Sequence, residues 1–224
     1  LMNFFDQLQR ETEAERKQLL SLPVIQRGAR GEISLDEYVG FLSQAYHHVK
    51  HTVPLMMACG SRLTESQEWL RVALAEYIEE EIGHQEWILN DIAACGADAE
   101  AVRRSKPNFS TELMVAYAYD TIARGNPLGF FGMVNVLEGT SIQLADMAAG
   151  AIQKSLNLPN KAFSYLSSHG ALDVGHVAFF QGLMNKIENP EDQRAIVHNA
   201  RAIYRLYADI FREVAANCAL AEVA

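Results

Sequence analysis

Two short segments of the sequence combine histidine and carboxylate residues at the spacing of one helical turn. The first is EEEIGH at residues 79–84, where Glu81 and Glu80 precede His84 by three and four residues. On a helix, either pair projects from one face. Acidic runs usually form a solvated surface, but Glu-x-x-His is also the unit from which di-iron sites in helix bundles are built. We therefore consider His84 and Glu81 as metal ligands, with Glu80 as the second candidate carboxylate.

The second segment is HGALDVGH at residues 169–176. Offsets of four and three place His169, Asp173 and His176 on a single helical stripe. A hydrogen-bonded cluster could also use these residues, but three metal-competent side chains on one stripe rarely arise by chance. The pattern favours metal ligands.

A lone carboxylate, Glu138, lies in the most apolar segment of the chain, FFGMVNVLEG at residues 130–139. A buried carboxylate is costly unless it is paired, protonated or bound to a metal. An ion pair with Arg124 or Arg201 is the structural alternative, and the sequence leaves both interpretations open.

Together the three segments supply three imidazoles and three carboxylates. These donors are Glu81, His84, Glu138, His169, Asp173 and His176. Nitrogen and oxygen donors without thiolate suit Fe(II) or Mn(II), and paired sets of histidine and carboxylate suit oxygen-activating iron. Structural zinc more often recruits cysteine, and the three cysteines of the chain lie outside the set.

The elements that must position these residues are helices, because apolar residues recur at helical spacing and strand-like alternation is almost absent. We predict an all-α bundle of seven helices in a single domain, residues 1–224. The predicted helices cover residues 4–20, 34 to a kink at Pro54, 64–95, 110–125, 128–156, 160–187 and 190–216.

Composition narrows the class of protein. The chain has 224 residues, 49% of them hydrophobic, and a formal net charge of −9. An acidic chain without a basic stripe is a poor partner for nucleic acid, and no apolar run reaches the roughly 18 residues of a membrane helix. The three scattered cysteines and the absence of signal-peptide features predict a cytoplasmic protein. Bundles of this size often dimerise, so we weakly expect a homodimer.

The ligand pattern resembles the haem-oxygenase-like di-iron oxidases and oxygenases, over nearly the whole chain. The resemblance implies a di-iron centre, or a manganese–iron one, held by the six residues and activating O2 to oxidise a small organic molecule. Some members take their first carboxylate seven residues before the first histidine, where this chain has Tyr77. Others take it three residues before, which corresponds to Glu81.

The wider fold also includes the thiaminase II and pyrroloquinoline-quinone synthase C families, so fold alone does not decide function. Ala45 stands where the thiaminase helix carries an essential Asp, and residues 131–138 lack the thiaminase cysteine. Two alternatives remain: a cofactor-free enzyme acting on a heteroaromatic intermediate, with His84, Glu138 and His176 as acid–base groups, and a non-catalytic binding bundle.

Three further histidines, His47, His48 and His51, lie on the second predicted helix. His47 or His48 could approach the centre or handle protons, and His47 and His51 share one face. Hydrogen-bonded or surface histidines are the more common outcome. The sequence does not identify the substrate.

Overall fold

The computed structural model describes residues 2–223, apart from the side chains of residues 169–174. The described residues form thirteen α-helices and no β-strand. The helices are α1 Phe4–Glu11, α2 Glu13–Leu20, α3 Pro23–Ala29, α4 Leu35–Val49, α5 Thr52–Arg62, α6 Glu68–Glu81, α7 His84–Ala94, α8 Ala99–Arg104, α9 Phe109–Arg124, α10 Phe130–Leu144, α11 Gly150–Leu156, α12 Ser164–Met184 and α13 Pro190–Ala221. The predicted all-α class is confirmed.

The predicted count of seven is wrong because several predicted helices are interrupted. The first is divided at Thr12, and the third at Ile82–Gly83, where Gly83 adopts a φ of +92°. The fifth passes through a π-helical turn, Ala145–Ala149, before continuing as α11. Pro54 lies in the first turn of a new helix, α5, and does not kink α4. At that position its missing N–H removes no helical hydrogen bond.

Local sequence signals predicted several helix ends correctly. Ser34 and Glu37 form a reciprocal capping box at the start of α4, as the sequence pattern predicts. Asn157 ends α11 with a φ of +52°. Asn189 caps α13, whose first residue is Pro190, the position where a helix tolerates proline best.

The longest helix, α13, packs against α10, α9, α4 and α2. Its contact with α10 is very close at Gly132, where an added Cβ would lie 2.5 Å from the Ile196 carbonyl oxygen and 2.6 Å from the Ala200 nitrogen. A side chain at this position would therefore separate the two helices. On another side, α12 packs against α7 and α10, so three of the four helices that carry predicted ligands are neighbours.

None of the helices in the described part of the chain has both the length and the apolar character needed to cross a membrane.

Candidate metal centre

Glu81 and His84 meet across a break between two helices. The Glu81 Oε2 and His84 Nδ1 atoms are 2.9 Å apart, and both side chains are nearly buried. Glu81 ends α6 and His84 begins α7, with extended Ile82 and left-handed Gly83 between them. The expectation that both residues share one face of a continuous helix is therefore wrong. Their contact depends on the turn, which glycine allows at little steric cost.

The imidazole of His84 is also covered by an aromatic ring. Trp87, one turn along α7, lies with its ring centroid 4.1 Å from that of His84. A ring held between a carboxylate and an indole has few orientations available. The His84 side chain is therefore well ordered before any ligand binds.

A second carboxylate–histidine pair joins α12 to the end of α6. The His176 Nε2 atom lies 2.8 Å from Glu80 Oε2. The expected alternative, Glu80 acting with His84 on one helical face, is not formed, since Glu81 contacts His84. Adjacent residues on α6 thus direct carboxylates to two different histidines, on α7 and on α12.

Glu138 lies on α10 beside the same carboxylates. Glu138 and Glu81 both line a cleft enclosing about 580 Å³, part of it open to solvent. The arginines considered as partners of Glu138 pair elsewhere: Arg124 with Asp120, and Arg201 with Glu11 and Glu15. Neither Arg124 nor Arg201 is therefore the ion-pair partner that the sequence alternative assigned to Glu138.

The cleft is largely apolar. Its described lining consists of His48, Val49, Thr52, Leu55, Met56, Glu81, Phe130, Met133, Val134, Leu137, Glu138, Ser141 and Tyr165. This lining includes no lysine or arginine. A concave, mostly apolar lining with a few polar groups is typical of small-molecule sites.

Tyr77 is a buried tyrosine that lies within the electrostatic influence of three carboxylates. Its buried hydroxyl has no hydrogen-bond partner among the described residues. Burial raises the pKa of Tyr77 far above its usual value, and the charges of Glu138, Glu80 and Glu81 raise it further. The position that carries a ligand Glu in some haem-oxygenase-like relatives thus holds a neutral phenol surrounded by carboxylates.

Asp91 fixes the start of α12, the helix that carries His176. This fully buried carboxylate accepts hydrogen bonds from the backbone nitrogens of Ser164, at 3.1 Å, and Tyr165, at 2.8 Å, and from the Ser164 hydroxyl. Two donors of the first turn of α12 are thereby satisfied. Burial raises the pKa of Asp91, and these hydrogen bonds oppose the rise.

Tyr165 also lines the cleft but was not among the site residues predicted from the sequence. Burial raises the pKa of its hydroxyl to about 12, a hydrogen bond with Ser141 lowers it, and the charge of Glu81 raises it. A signal was present, because Tyr165 precedes His169 by four residues and so continues the stripe of predicted ligands.

The three histidines at the end of α4 and the start of α5 make separate contacts. His47 Nε2 lies 2.9 Å from the Ser105 hydroxyl, and His51 Nδ1 lies 3.0 Å from the Tyr119 hydroxyl. Their side chains bond to hydroxyls on different elements, so they are hydrogen-bonded histidines. His48 instead lines the cleft.

Two of the six predicted ligands, His169 and Asp173, lie outside the described residues. Among the side chains that are described, no three His, Cys, Asp or Glu residues are grouped closely enough to hold a metal ion. The structure therefore brings together Glu81 and His84, places Glu138 on the same cleft, and pairs His176 with Glu80. The complete six-residue set stays a prediction.

The fold is shared with solved structures of low sequence identity. A protein from Shewanella denitrificans, described as a domain of unknown function with a heme oxygenase-like fold, is similar with a TM-score of 0.89 and 24% identity, over 99% of this chain and 96% of that one. Heme oxygenase-1 from Synechocystis, solved with heme, has a TM-score of 0.78 and 12% sequence identity, over 98% of this chain and 96% of that one. A TenA homologue from Pseudomonas syringae has a TM-score of 0.76 and 13% identity, over 94% of this chain and 92% of that one.

These similarities confirm the predicted haem-oxygenase-like fold. No curated protein matches the chain. The sequence pattern of a family described as iron-containing redox enzymes matches residues 39–208, a range that includes every predicted ligand. The chain belongs to the iron-containing redox enzyme family.

Proposed function

We propose that this protein is a non-haem di-iron oxidase or oxygenase that uses O2 to oxidise a small organic molecule. The observation that carries the proposal is the Glu81–His84 pair, 2.9 Å apart, in which Glu81 lines a cleft together with Glu138. Membership of an iron-containing redox family supports an oxidoreductase in general. The proposal goes beyond family membership in two respects, the use of two iron ions and the use of O2.

The residues fit a bound cation. Two carboxylates line one apolar cleft whose described lining has no lysine or arginine, so bringing a positive charge there lowers the electrostatic free energy. The nearby donors are oxygen and nitrogen atoms, which suit iron better than thiolate-preferring metals. The three carboxylates that act on Tyr77 carry a charge of −3, which would offset most of the +4 charge of two divalent cations.

We propose that Glu81 and His84 would hold one iron, that His169, Asp173 and His176 would hold the other, and that Glu138 would supply a further carboxylate ligand. When bound, the iron pair would supply the electrons for reduction of O2. In this arrangement Glu80 is an outer partner of His176. It would orient the imidazole as carboxylates do for metal-bound histidines.

The remaining cleft residues would prepare the site for a substrate. Phe130, Met133 and Leu137 provide an apolar wall, which excludes water and strengthens interactions inside the cleft. The hydroxyl-bearing side chains of Ser141 and Tyr165 also line the cleft. Burial favours the protonated form of Tyr165, so this residue would act as a neutral hydrogen-bonding group.

The test is iron content together with oxygen consumption. Anaerobically reconstituted protein should bind about two Fe(II) per chain and consume O2. His176→Ala should bind about one iron and lose O2 consumption while keeping its helical content by circular dichroism. His198→Ala, an exposed site on α13, is the matched control and should behave as the unmodified protein.

Fewer than about one iron per chain without O2 consumption would refute the proposal. Substrate turnover that persists after complete chelation would favour the cofactor-free alternative.

A further inference from the structure

A second cavity lies among α1, α2, α10, α12 and α13, and its lining is more polar than that of the apolar cleft. Its volume is about 400 Å³, a size found among small-molecule sites. Glu138 is the one described residue that lines both the cavity and the cleft. A molecule bound in the cavity would therefore lie beside a proposed iron ligand.

Arg16 is the one basic residue in the described lining of this cavity. Its Nη1 atom donates hydrogen bonds to the backbone oxygen of Gln9, at 3.2 Å, and to Gln9 Oε1, at 3.3 Å. Gln9 Nε2 in turn donates to Asn135 Oδ1, at 2.7 Å, and both residues also line the cavity. The guanidinium is thereby held at the cavity wall. It presents several N–H donors, so bonds from Nη1 leave other donors for a ligand.

The carboxylates nearest to Arg16 on α1 and α2 are directed elsewhere. Glu11 and Glu15 both pair with Arg201, and no described Asp or Glu forms an ion pair with Arg16. The Arg16 side chain is nevertheless half-buried. Burial raises the pKa of the Tyr204 hydroxyl in the cavity wall, and the charge of Arg16 lowers it. A partly desolvated cation without an anionic partner is costly, so an anionic ligand would stabilise it.

Bound iron would make the cavity more favourable for an anion. Glu138 is the one carboxylate in the described lining, and without a metal its charge opposes an anionic ligand. In the proposed function Glu138 binds a divalent ion, whose charge outweighs that of the carboxylate. The single guanidinium of Arg16 then matches a monoanion, whereas a phosphate monoester carries up to about −2.

We propose that Arg16 is a specificity-determining residue, whose guanidinium binds the carboxylate of an organic acid in this cavity. The aromatic rings of Phe5 and Phe180, which also line it, would contact the apolar body of the acid. The inference rests on the proposed function in one respect: the bound acid is taken as the substrate of the iron centre. Recognition of the carboxylate by Arg16 does not require that identity.

Binding of a carboxylate and of its neutral amide tests the inference without relying on activity. Phenylacetate and phenylacetamide have the same shape, and their ring suits an aromatic wall. In the anaerobic Fe(II)-loaded protein, phenylacetate should bind about tenfold more tightly, because charge-assisted hydrogen bonds are the stronger ones. The same preference should appear in metal-free Glu138→Gln, which lacks the opposing charge. Isothermal titration calorimetry measures the dissociation constants in both backgrounds.

Arg16→Gln should bind the two compounds with affinities within about twofold of each other in both backgrounds. Arg16→Lys keeps the charge without the planar guanidinium and should retain part of the preference, which guards against a simple folding defect in the glutamine variant. Arg10→Gln is the matched control, since Arg10 is an exposed arginine of α1 outside the cavity lining. It should keep the full preference.

The outcomes separate this inference from the proposed function. Equal binding of phenylacetate and phenylacetamide, or an unchanged preference in Arg16→Gln, would overturn the inference even if iron binds and O2 is consumed. A preference confined to the Fe(II)-loaded protein would also overturn it, because iron would then hold the carboxylate. Tighter binding of phenyl phosphate than of phenylacetate by metal-free Glu138→Gln would overturn the carboxylate class. An Arg16-dependent preference in a chain that takes up no iron would support the inference and refute the di-iron proposal.

Discussion

Histidines occur in two contrasting settings in this protein. At the end of α4 and the start of α5, His47 and His51 bond to hydroxyls. Lys50 lies beside them, with its Nζ 3.5 Å from His47 Nδ1. At the start of α7 and on α12, His84 and His176 contact carboxylates instead.

Burial lowers the pKa of His47 to about 4, and the charge of Lys50 lowers it further. A cation beside an imidazole opposes a second cation, whereas a carboxylate attracts one and orients the ring. The comparison teaches that the partner of a histidine, more than its burial, indicates whether it belongs to a metal site.

The largest effect should come from removing the carboxylates. Glu81→Gln should weaken Fe(II) binding by more than about 100-fold, while Glu80→Gln, an outer partner, should weaken it by about 10- to 100-fold. His51→Gln should bind Fe(II) with an affinity within about twofold of that of the unmodified protein. Iron titration of the three variants measures this order. Equal losses of Fe(II) affinity in Glu80→Gln and Glu81→Gln would contradict the assignment of Glu81 as a ligand and Glu80 as an outer partner.

The carboxylate–histidine pairs depend on how α12 begins. Asp91→Ala should lower the free energy of unfolding by about 2–3 kcal/mol, because it leaves buried donors at Ser164 and Tyr165 without an acceptor. Asp98→Ala removes an exposed cap of α8 and should cost about 1 kcal/mol or less. Urea denaturation measures both. Similar losses would show that the buried cap has no special role.

We expect His48 to make the stability of the folded protein depend on pH. Its pKa is about 3 in the folded protein and about 6.5 in an unfolded chain, so the unfolded chain takes up the proton first as pH falls. Stability that is present above pH 6.5 is therefore lost toward pH 3, by about 2 kcal/mol at pH 5.

Replacing His48 should remove this part of the pH dependence. Denaturation of His48→Leu at pH 7 and pH 5 should show a smaller loss of stability than the unmodified protein. Thr52→Val, a cleft residue that does not titrate, controls for repacking and should keep the original dependence. An unchanged pH dependence in His48→Leu would contradict the pKa assignment.

The smallest effect concerns the turn between α6 and α7. Gly83→Ala forces a side chain into a φ of +92° and should cost about 1 kcal/mol in the free energy of unfolding. Gly96→Ala meets the same strain at +82°, and an added Cβ has no neighbour within 4 Å at either site. Both variants should lose similar stability, but only Gly83→Ala should also weaken iron binding. If Gly83→Ala and Gly96→Ala bound iron with equal affinity, the turn at Gly83 would have no specific role in the metal site.

Local sequence signals determined the helical class, many helix ends and the residue types of the candidate site. The capping box at Ser34 and the end of α11 at Asn157 follow from interactions within a few residues, which is why they could be predicted. The division at Gly83 was missed, because an isolated glycine inside a helical pattern is often tolerated.

Only the tertiary structure decided which groups meet. The sequence left Glu80 and Glu81 as alternatives for one histidine, and the fold assigns them to His176 and His84 respectively. Periodicity orients a side chain around its own helix axis but does not determine the approach of another helix. That approach depends on contacts between distant residues, such as Asp91 with Tyr165 and Gly132 with Ile196, and it therefore decides which carboxylate faces which imidazole.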